Sequence, residues 1–487
     1  MPADATGRRP NVLLITLDQF RSDSMSCAGH PLVRTPNLDR LAASGVRFAQ
    51  HYAQAAPCSP GRASLYTGMY QMNHRVVANG TPLDARFDNV ALMARRAGYS
   101  PVLFGYTDQG VDPRITDGGD DPRLSTFEGV LPGFDVGTLL ITDHEPWMEW
   151  LRSLGHDVQD PMEALRTENQ RPSTHSLSTF TTDCVLAWLD SRGSAEPWFA
   201  HLSYLRPHPP FSAAGEYSTM YDPDACAEPL PIPADPHPLH ALVLADPRAA
   251  APTDPMEMRR LRAQYYGMIS EVDAQLGRIW DRLLADGSWD NTVVVVTADH
   301  AEQLGDQGLL GKLGFFDSSY HILGIVRDPS RAAAHGTVVD SFTENVDVLP
   351  TLCGLIGEPV PAQVDGHSLL PFLDGGEPEG WRSAAHYEFD WSDVFIRSDP
   401  ARWPWDRRLA ECNLAVRRSA DLAYVQFGDG SWRCFDVAAD AGWATTVVDP
   451  SVVLAEAQQM LLWRSRHTDR TLTGMLLEDG GIGRHPS

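Results

Sequence analysis

Cysteine is scarce in this chain: seven in 487 residues, at positions 27, 58, 184, 226, 353, 412 and 434. No two form a CxxC pair, so a redox site of that kind is excluded, and an odd, scattered set suits a reducing cytoplasm with most thiols buried. Positive charge is short as well. Against 64 Asp and Glu stand 39 Lys and Arg, a formal net charge of −25. Such an acidic surface argues against broad binding of nucleic acid or anionic membranes, while leaving room for a locally positive pocket that holds a small anion. Long apolar runs are also missing. The stretch 12–17 is far too short to span a bilayer. MPADATGRRPNVLLITLDQF has no apolar segment before a cleavage site, so no signal peptide is expected. Internal repeats and low-complexity segments are absent.

What is present reads as a large layered protein. The hydrophobic share is 43% and the charged share 21%, and 37 prolines with 39 glycines imply many ordered loops. The first three-quarters alternates strands with amphipathic helices, an α/β pattern. NVLLITL (11–17), PVLFG (101–105), WFAHLSYL (198–205), TVVVVTADH (292–300) and HILGIVRD (321–328) read as strands. TPNLDRLAASG (35–45), DNVALMARRAG (88–98) and FTTDCVLAWLDSRG (180–193) read as helices. The clearest helix runs over 256–286, where Leu261, Tyr265, Met268, Val272, Leu276, Ile279 and Leu283 recur every three or four residues. Beyond 373 the texture changes to short antiparallel strands over 414–437 with a Gly-Asp-Gly turn, a helix over 452–464 and a polar tail. The expected organisation is an α/β domain over 1–375 and a small α+β subdomain over 376–487.

Four strands deliver polar residues at their carboxyl ends: Asp18-Gln19, Tyr106-Thr107, Arg206-Pro207-His208 and Asp299-His300. Ligands of open α/β sheets bind in the crevice beyond those ends. Singly, each residue is equally at home as a cap, a turn or a structural histidine. Together, Asp18, Gln19, Asp299 and His300 offer three oxygens and one imidazole, a donor set for Mn²⁺ or Ca²⁺, with the histidine leaning towards Mn²⁺.

Cys58 sits in APCSPGRAS. It reads either as a buried free thiol, the usual state of a lone cysteine, or as a group at a helix start, with Pro60 in the first turn. Backbone N–H groups and the dipole favour anions there. A tyrosine-phosphatase-like loop is excluded, since it needs an arginine six positions on, where Ser64 stands.

Cys58-Ser59-Pro60-Gly61-Arg62 resembles the CxPxR signature of the type I sulfatase family, within the alkaline-phosphatase-like superfamily. The likeness extends through NVLLITLDQFRSD, TPNLDRLAASGVRF, CSPGRASLYTGMY, LRPHPPF, TADHAEQLGDQGLLGK and ENVDVLPTL. Asp18-Gln19, QMNHRVVANGTPLD (71–84), GYTDQGVDPR (105–114) and WRSRHTDRTLTG (463–474) make it most similar to the phosphonate monoester hydrolase/phosphodiesterase branch. The resemblance implies an alkaline-phosphatase-like fold: a central mixed, largely parallel sheet flanked by helices.

It further implies that a formylglycine-generating enzyme oxidises Cys58 to 3-oxoalanine (formylglycine), whose hydrate is the nucleophile. One divalent metal would be held by Asp18, Gln19, Asp299, His300 and residue 58. Arg62, Asn79, Tyr106, Thr107, His208 and Lys312 would line the anion pocket, with His208 or Lys312 protonating the leaving oxygen. Gly61 departs from the Ser or Ala common in the family. The implied activity is hydrolysis of phosphonate monoesters and phosphodiesters, with promiscuity towards sulfate esters. An arylsulfatase is the alternative, and a silent binding protein with an unmodified Cys58 is a third reading. A cytoplasmic homo-oligomer, dimer or tetramer, is expected, with Trp463, Leu472, Met475 and Leu476 either packing on neighbours or folding back on their own domain.

Overall fold

Strands covered on both faces tolerate no polar alternation, and the three most apolar runs accordingly make the centre of the main sheet. In the computed structural model, which describes residues 9–192, 196–397, 409–469, 473, 475–478 and 481–484, β1 (Asn11–Leu17), β6 (Phe199–Tyr204) and β7 (Thr292–Thr297) are buried at every position. With β2 (Val46–Tyr52), β4 (Val102–Gly105), β5 (Asp135–Leu139), β8 (Gly324–Arg327) and β9 (Thr337–Glu344) they form one sheet in the order β5-β4-β6-β1-β7-β8-β2-β9. Every pairing is parallel except those of β8, which runs against β7 and β2.

Alternate residues of β1 feed two cores. Leu13, Ile15 and Leu17 join the side covered by α1 (Pro36–Ala43), α4 (Leu177–Ser191) and the long α5 (Pro255–Ala285). Val12 and Leu14 join the side covered by α2 (Cys58–Thr67), α3 (Val90–Arg96) and α6 (Val348–Ile356). The start of α5 is fixed by Asp254, whose side chain accepts from the Met256 N–H, and by Pro255 in the first turn.

A second sheet joins β10 (Ala384–Asp390), β11 (Asn413–Ser419), β12 (Leu422–Phe427) and β13 (Trp432–Asp436), all antiparallel. Its fifth member is β3 (Ala55–Ala56), paired with Glu388 and Phe389 of β10. The C-terminal sheet is therefore hydrogen-bonded to the residues that lead into Cys58. One apolar cluster also runs through both sheets, holding Leu13 and Ile15 with Tyr387, Phe389 and Val416.

The closing helix α7 (Pro450–Arg466) stacks Trp463 on His386, ring centroids 4.7 Å apart. Of the tail residues considered for contacts between subunits, Trp463 is thus buried within its own chain, and Leu472 lies outside the described residues. Met475 and Leu476 fall on β14 (Met475–Glu478), paired with β15 (Gly481–Arg484). Among the described residues no helix is long and apolar enough to cross a membrane.

Candidate active site

The carboxyl ends of β1, β4, β6 and β7 converge with the first turn of α2. Cys58 opens that helix, and its Sγ lies 3.2 Å from His300 Nε2. One donor atom each from Asp18, Cys58, Asp299 and His300 falls within 4.8 Å of the others, and all four residues are buried.

Arg62 sits beneath this cluster and is fully buried, where a residue lining the anion pocket was expected. Its Nε donates to Asp299 Oδ2 (2.9 Å) and Nη2 to Asp18 Oδ2 (3.1 Å). Nη1 serves Ser203 Oγ (2.8 Å) and the Tyr106 carbonyl (3.1 Å), and the guanidinium carbon lies 4.3 Å from the Tyr106 ring centroid. The helix turn from Cys58 to Arg62 thus delivers a nucleophile position above and a cation below, and the cation fixes the two carboxylates. Tyr106 adds a hydrogen bond from its hydroxyl to Asp18 Oδ2 (2.5 Å).

Gln19 adopts a left-handed backbone (φ 67°), a turn directly after the strand. Its N–H donates to Asp299 Oδ1 at 3.2 Å. Its side-chain amide donates to the Glu302 carboxylate, and its Oε1 accepts from Lys312 Nζ at 2.7 Å. A carboxylate only accepts, so this fixes the amide's orientation. Gln19 therefore reaches the cluster through its backbone and presents its side-chain oxygen to Lys312.

Lys312 also lies 3.0 Å from His208 Nε2, while His208 Nδ1 is 2.7 Å from the Pro209 carbonyl. Because a carbonyl only accepts, Nδ1 carries the hydrogen and Nε2 is the lone pair facing the ammonium.

The remaining expected residues stand beside this centre. Asn79 Oδ1 accepts the Ser59 N–H at 3.0 Å, capping the nucleophile helix from outside. The Thr107 hydroxyl donates to the Gly129 carbonyl (2.7 Å) and accepts the Leu131 N–H (2.9 Å), which ties down the next loop.

Burial and charge set the protonation pattern. Burial alone would raise Asp18, but His208, Arg62, His300 and Lys312 hold it well below the ordinary carboxylate range. Burial and the charge of Asp18 push Asp299 up to about 7. Burial, aided by Lys312, brings His208 and His300 down to about 3, so both are neutral imidazoles. Burial pushes the Cys58 thiol well above its ordinary value. Burial would lower Lys312, yet Cys58, Asp18 and Asp299 hold it above its ordinary value, so it stays charged.

The donor set fits a hard or borderline divalent cation. Asp18 Oδ1 is buried with no hydrogen-bond partner, and two carboxylates with a neutral imidazole face one point. Sequence reasoning missed Glu302, Ser203 and Asp108. Glu302 was legible only as the acid two residues past His300, and Ser203 only as a polar interruption in an apolar strand. Asp108 has a left-handed backbone (φ 52°) and lies 3.8 Å from Arg62 Nε, with burial pushing it up to about 7.

Comparison with known proteins identifies the family. The sulfatase family model matches residues 10–358. The chain is 37% identical over 506 residues to the multifunctional alkaline phosphatase superfamily protein PehA of Trinickia caryophylli, covering 96% of this chain and 97% of that one. An arylsulfatase of Clostridium perfringens is 26% identical over 81% of this chain and 85% of its own. Among solved structures, the phosphonate monoester hydrolase of Agrobacterium radiobacter superposes with a TM-score of 0.90 at 42% identity, covering 98% of this chain and all of that one. The phosphonate monoester hydrolase of Silicibacter pomeroyi does so at 0.89 and 34%, covering 98% and 99%. A family-model match over residues 10–358, with relatives matched over nearly the whole chain, makes this protein an ester hydrolase belonging to the sulfatase family of alkaline-phosphatase-like enzymes.

Proposed function

We propose that the chain is a metal- and formylglycine-dependent hydrolase of phosphonate monoesters and phosphodiesters, with sulfate esters as further substrates. The observation that carries this reading is the placement of Cys58 at the head of α2. There it lies in one buried cluster with Asp18, Asp299 and His300, in a chain so similar to two phosphonate monoester hydrolases. Asp18, Asp299, His300 and residue 58 would hold one cation, Mn²⁺ favoured over Ca²⁺ on account of the imidazole, with Gln19 at its edge. Bound there, the cation supplies Lewis-acid stabilisation of negative charge. Formylglycine at position 58, as its hydrate, would supply the attacking hydroxyl.

The chain's own residues perform the rest. Arg62 and Tyr106 hold the carboxylates in place, so the site needs little reorganisation during reaction. Lys312 brings a positive charge and a proton to the pocket. The His208 lone pair and Gln19 Oε1 aim its ammonium, which makes Lys312 the resting proton source for the leaving oxygen.

The neutral Gln19 leaves the site one charge less negative than a carboxylate would. Sulfate monoesters, phosphodiesters and phosphonate monoesters are all monoanions, however, so the preference for phosphorus rests on likeness to the phosphonate hydrolases. Every residue from Cys58 to Thr67 is buried, so a formylglycine-generating enzyme must reach the motif before α2 docks. A cytoplasmic homo-oligomer is part of the same proposal: the scattered thiols support the compartment, the oligomer rests on the family resemblance, and light scattering checks it.

The test compares kcat/KM for p-nitrophenyl phenylphosphonate and p-nitrophenyl sulfate, on protein whose Cys58 peptide has the mass of formylglycine. A large sulfate preference turns the assignment to an arylsulfatase. An unmodified thiol in protein made with its maturation enzyme turns it to a binding protein. Cys58→Ala is expected to abolish turnover and leave the fold intact.

A further inference from the structure

We propose that Arg206 is a positioning residue acting through His208: it clamps that histidine's own carbonyl and the Pro210 carbonyl beyond it, and so keeps the imidazole lone pair on Lys312. The proposal rests on the ester-hydrolase reading above and names a residue which that reading does not use.

The segment Arg206-Pro207-His208-Pro209-Pro210 leaves β6 with three prolines in five residues. Proline has no N–H, so this loop has few backbone donors with which to fasten itself. The His208 N–H is spent on the Leu205 carbonyl at 2.9 Å. The carbonyls are the remaining handles, and holding them takes a donor-only side chain with several N–H groups in a fixed fork.

Arg206 meets that requirement. Its Nη1 donates to the His208 carbonyl and to the Pro210 carbonyl, both at 2.8 Å. Nε donates to Glu168 Oε2 at 2.9 Å, and Nη2 donates to the same carboxylate and to the Leu165 carbonyl.

Both side chains of the Arg206–Glu168 pair are 0% exposed. A buried ion pair is a poor way to gain stability, because desolvation offsets the attraction; what it delivers well is a fixed geometry. Glu168 anchors that geometry to the scaffold, since its Oε1 accepts the Leu177 N–H at the head of α4 (2.8 Å). The chain of contacts runs from α4 through Glu168 and Arg206 to the His208 carbonyl. From there the ring, pinned by Nδ1 to Pro209, meets Lys312. Displacing the loop would lengthen the last contact, which aims the proton source.

The experiment measures kcat and KM for aryl and alkyl phosphonate monoesters of increasing leaving-group basicity, from p-nitrophenyl through phenyl to methyl. Lysine at position 206 retains a charge opposite Glu168, but its three N–H groups on one nitrogen cannot replace the five hydrogen bonds that Arg206 makes to Glu168, Leu165, His208 and Pro210. Arg206→Lys is expected to keep p-nitrophenyl turnover within about threefold. For phenyl and methyl esters kcat should fall by about 30-fold or more, because proton donation matters most for poor leaving groups, and KM should hold steady.

In a His208→Ala background Arg206→Lys is expected to add nothing, since the two act as a unit. A loss equal across all leaving groups, or one additive with His208→Ala, would overturn the proposal. Should Arg206→Lys fail to fold, Glu168→Gln carries the same measurement.

A readout without turnover separates failure of the clamp from failure of the proposed activity. Imidazole ¹⁵N chemical shifts are expected to show the Nδ1–H tautomer of His208 in the unsubstituted protein and a tautomer mixture in Arg206→Lys. Identical spectra would also overturn the clamp. Absence of any ester hydrolysis by the unsubstituted protein would sink the functional assignment and leave the clamp to the spectra.

Discussion

Gly61 and Asp299 pack backbone against backbone: a Cβ on Gly61 would lie 2.4 Å from the Asp299 carbonyl oxygen and 2.9 Å from that of Ala55. The missing side chain is what lets the nucleophile helix close onto the strand end that carries two expected metal ligands. Gly61→Ala is therefore expected to cost about 1–3 kcal/mol of stability. It should also lower kcat by about 100-fold, since an ångström of misplacement suffices for that. Thermal unfolding and steady-state kinetics on the same preparation check this. Unchanged values would mean that the helix accommodates the methyl by shifting without consequence.

Gln19→Glu is not a neutral substitution. The Gln19 amide donates to the Glu302 carboxylate and its Oε1 receives Lys312. A second carboxylate there would face Glu302 with no proton to donate. The expected result is a loss of about 1–3 kcal/mol, eased at low pH, and no gain in kcat/KM for p-nitrophenyl sulfate. Unfolding curves across pH, with kinetics on both ester classes, decide it.

Asp18 Oδ1 is buried without a partner, so a cation is expected to stabilise the fold as well as support activity. Protein stripped with a chelator should melt lower than protein with Mn²⁺ restored. Asp18→Asn should weaken Mn²⁺ binding by about tenfold or more in calorimetry, whatever the activity. A melting temperature indifferent to Mn²⁺ would argue against the site.

Glu271 on α5 is wholly buried; burial, and then the charge of Glu168, push its carboxyl from 4.5 up to about 8. The folded chain keeps this proton where the unfolded chain has released it. Its contribution is therefore fully present below about pH 4.5 and is withdrawn as pH rises through about 8. Glu271→Gln is expected to gain at least about 1 kcal/mol above that range, the equivalent of one pKa unit, and to flatten the decline of Tm with pH. A parallel Tm–pH profile in the two proteins would contradict it.

The main sheet and its principal helices were legible because their signals are local. TVVVVT and NVLLITL are apolar throughout, as strands buried on both faces must be, and 255–285 repeats its apolar residues at helical spacing. Strands β2 and β9 gave no such signal: they mix buried with half-exposed or exposed positions near the sheet edge. The two-residue β3 is a strand only because β10, more than 300 residues later, pairs with it.

For the site, the sequence by itself determined which residues stand at strand ends and that Cys58 opens a helix, because strand polarity and helix starts are written in neighbouring residues. Tertiary structure decided what each side chain faces. It turned Arg62 inward onto Asp18 and Asp299, set the Gln19 amide between Glu302 and Lys312, and put the lone pair of His208 on Lys312. It also made Gly61 a steric necessity. These are matters of burial and of donor–acceptor pairing between segments 44 to 293 residues apart, which no local pattern encodes.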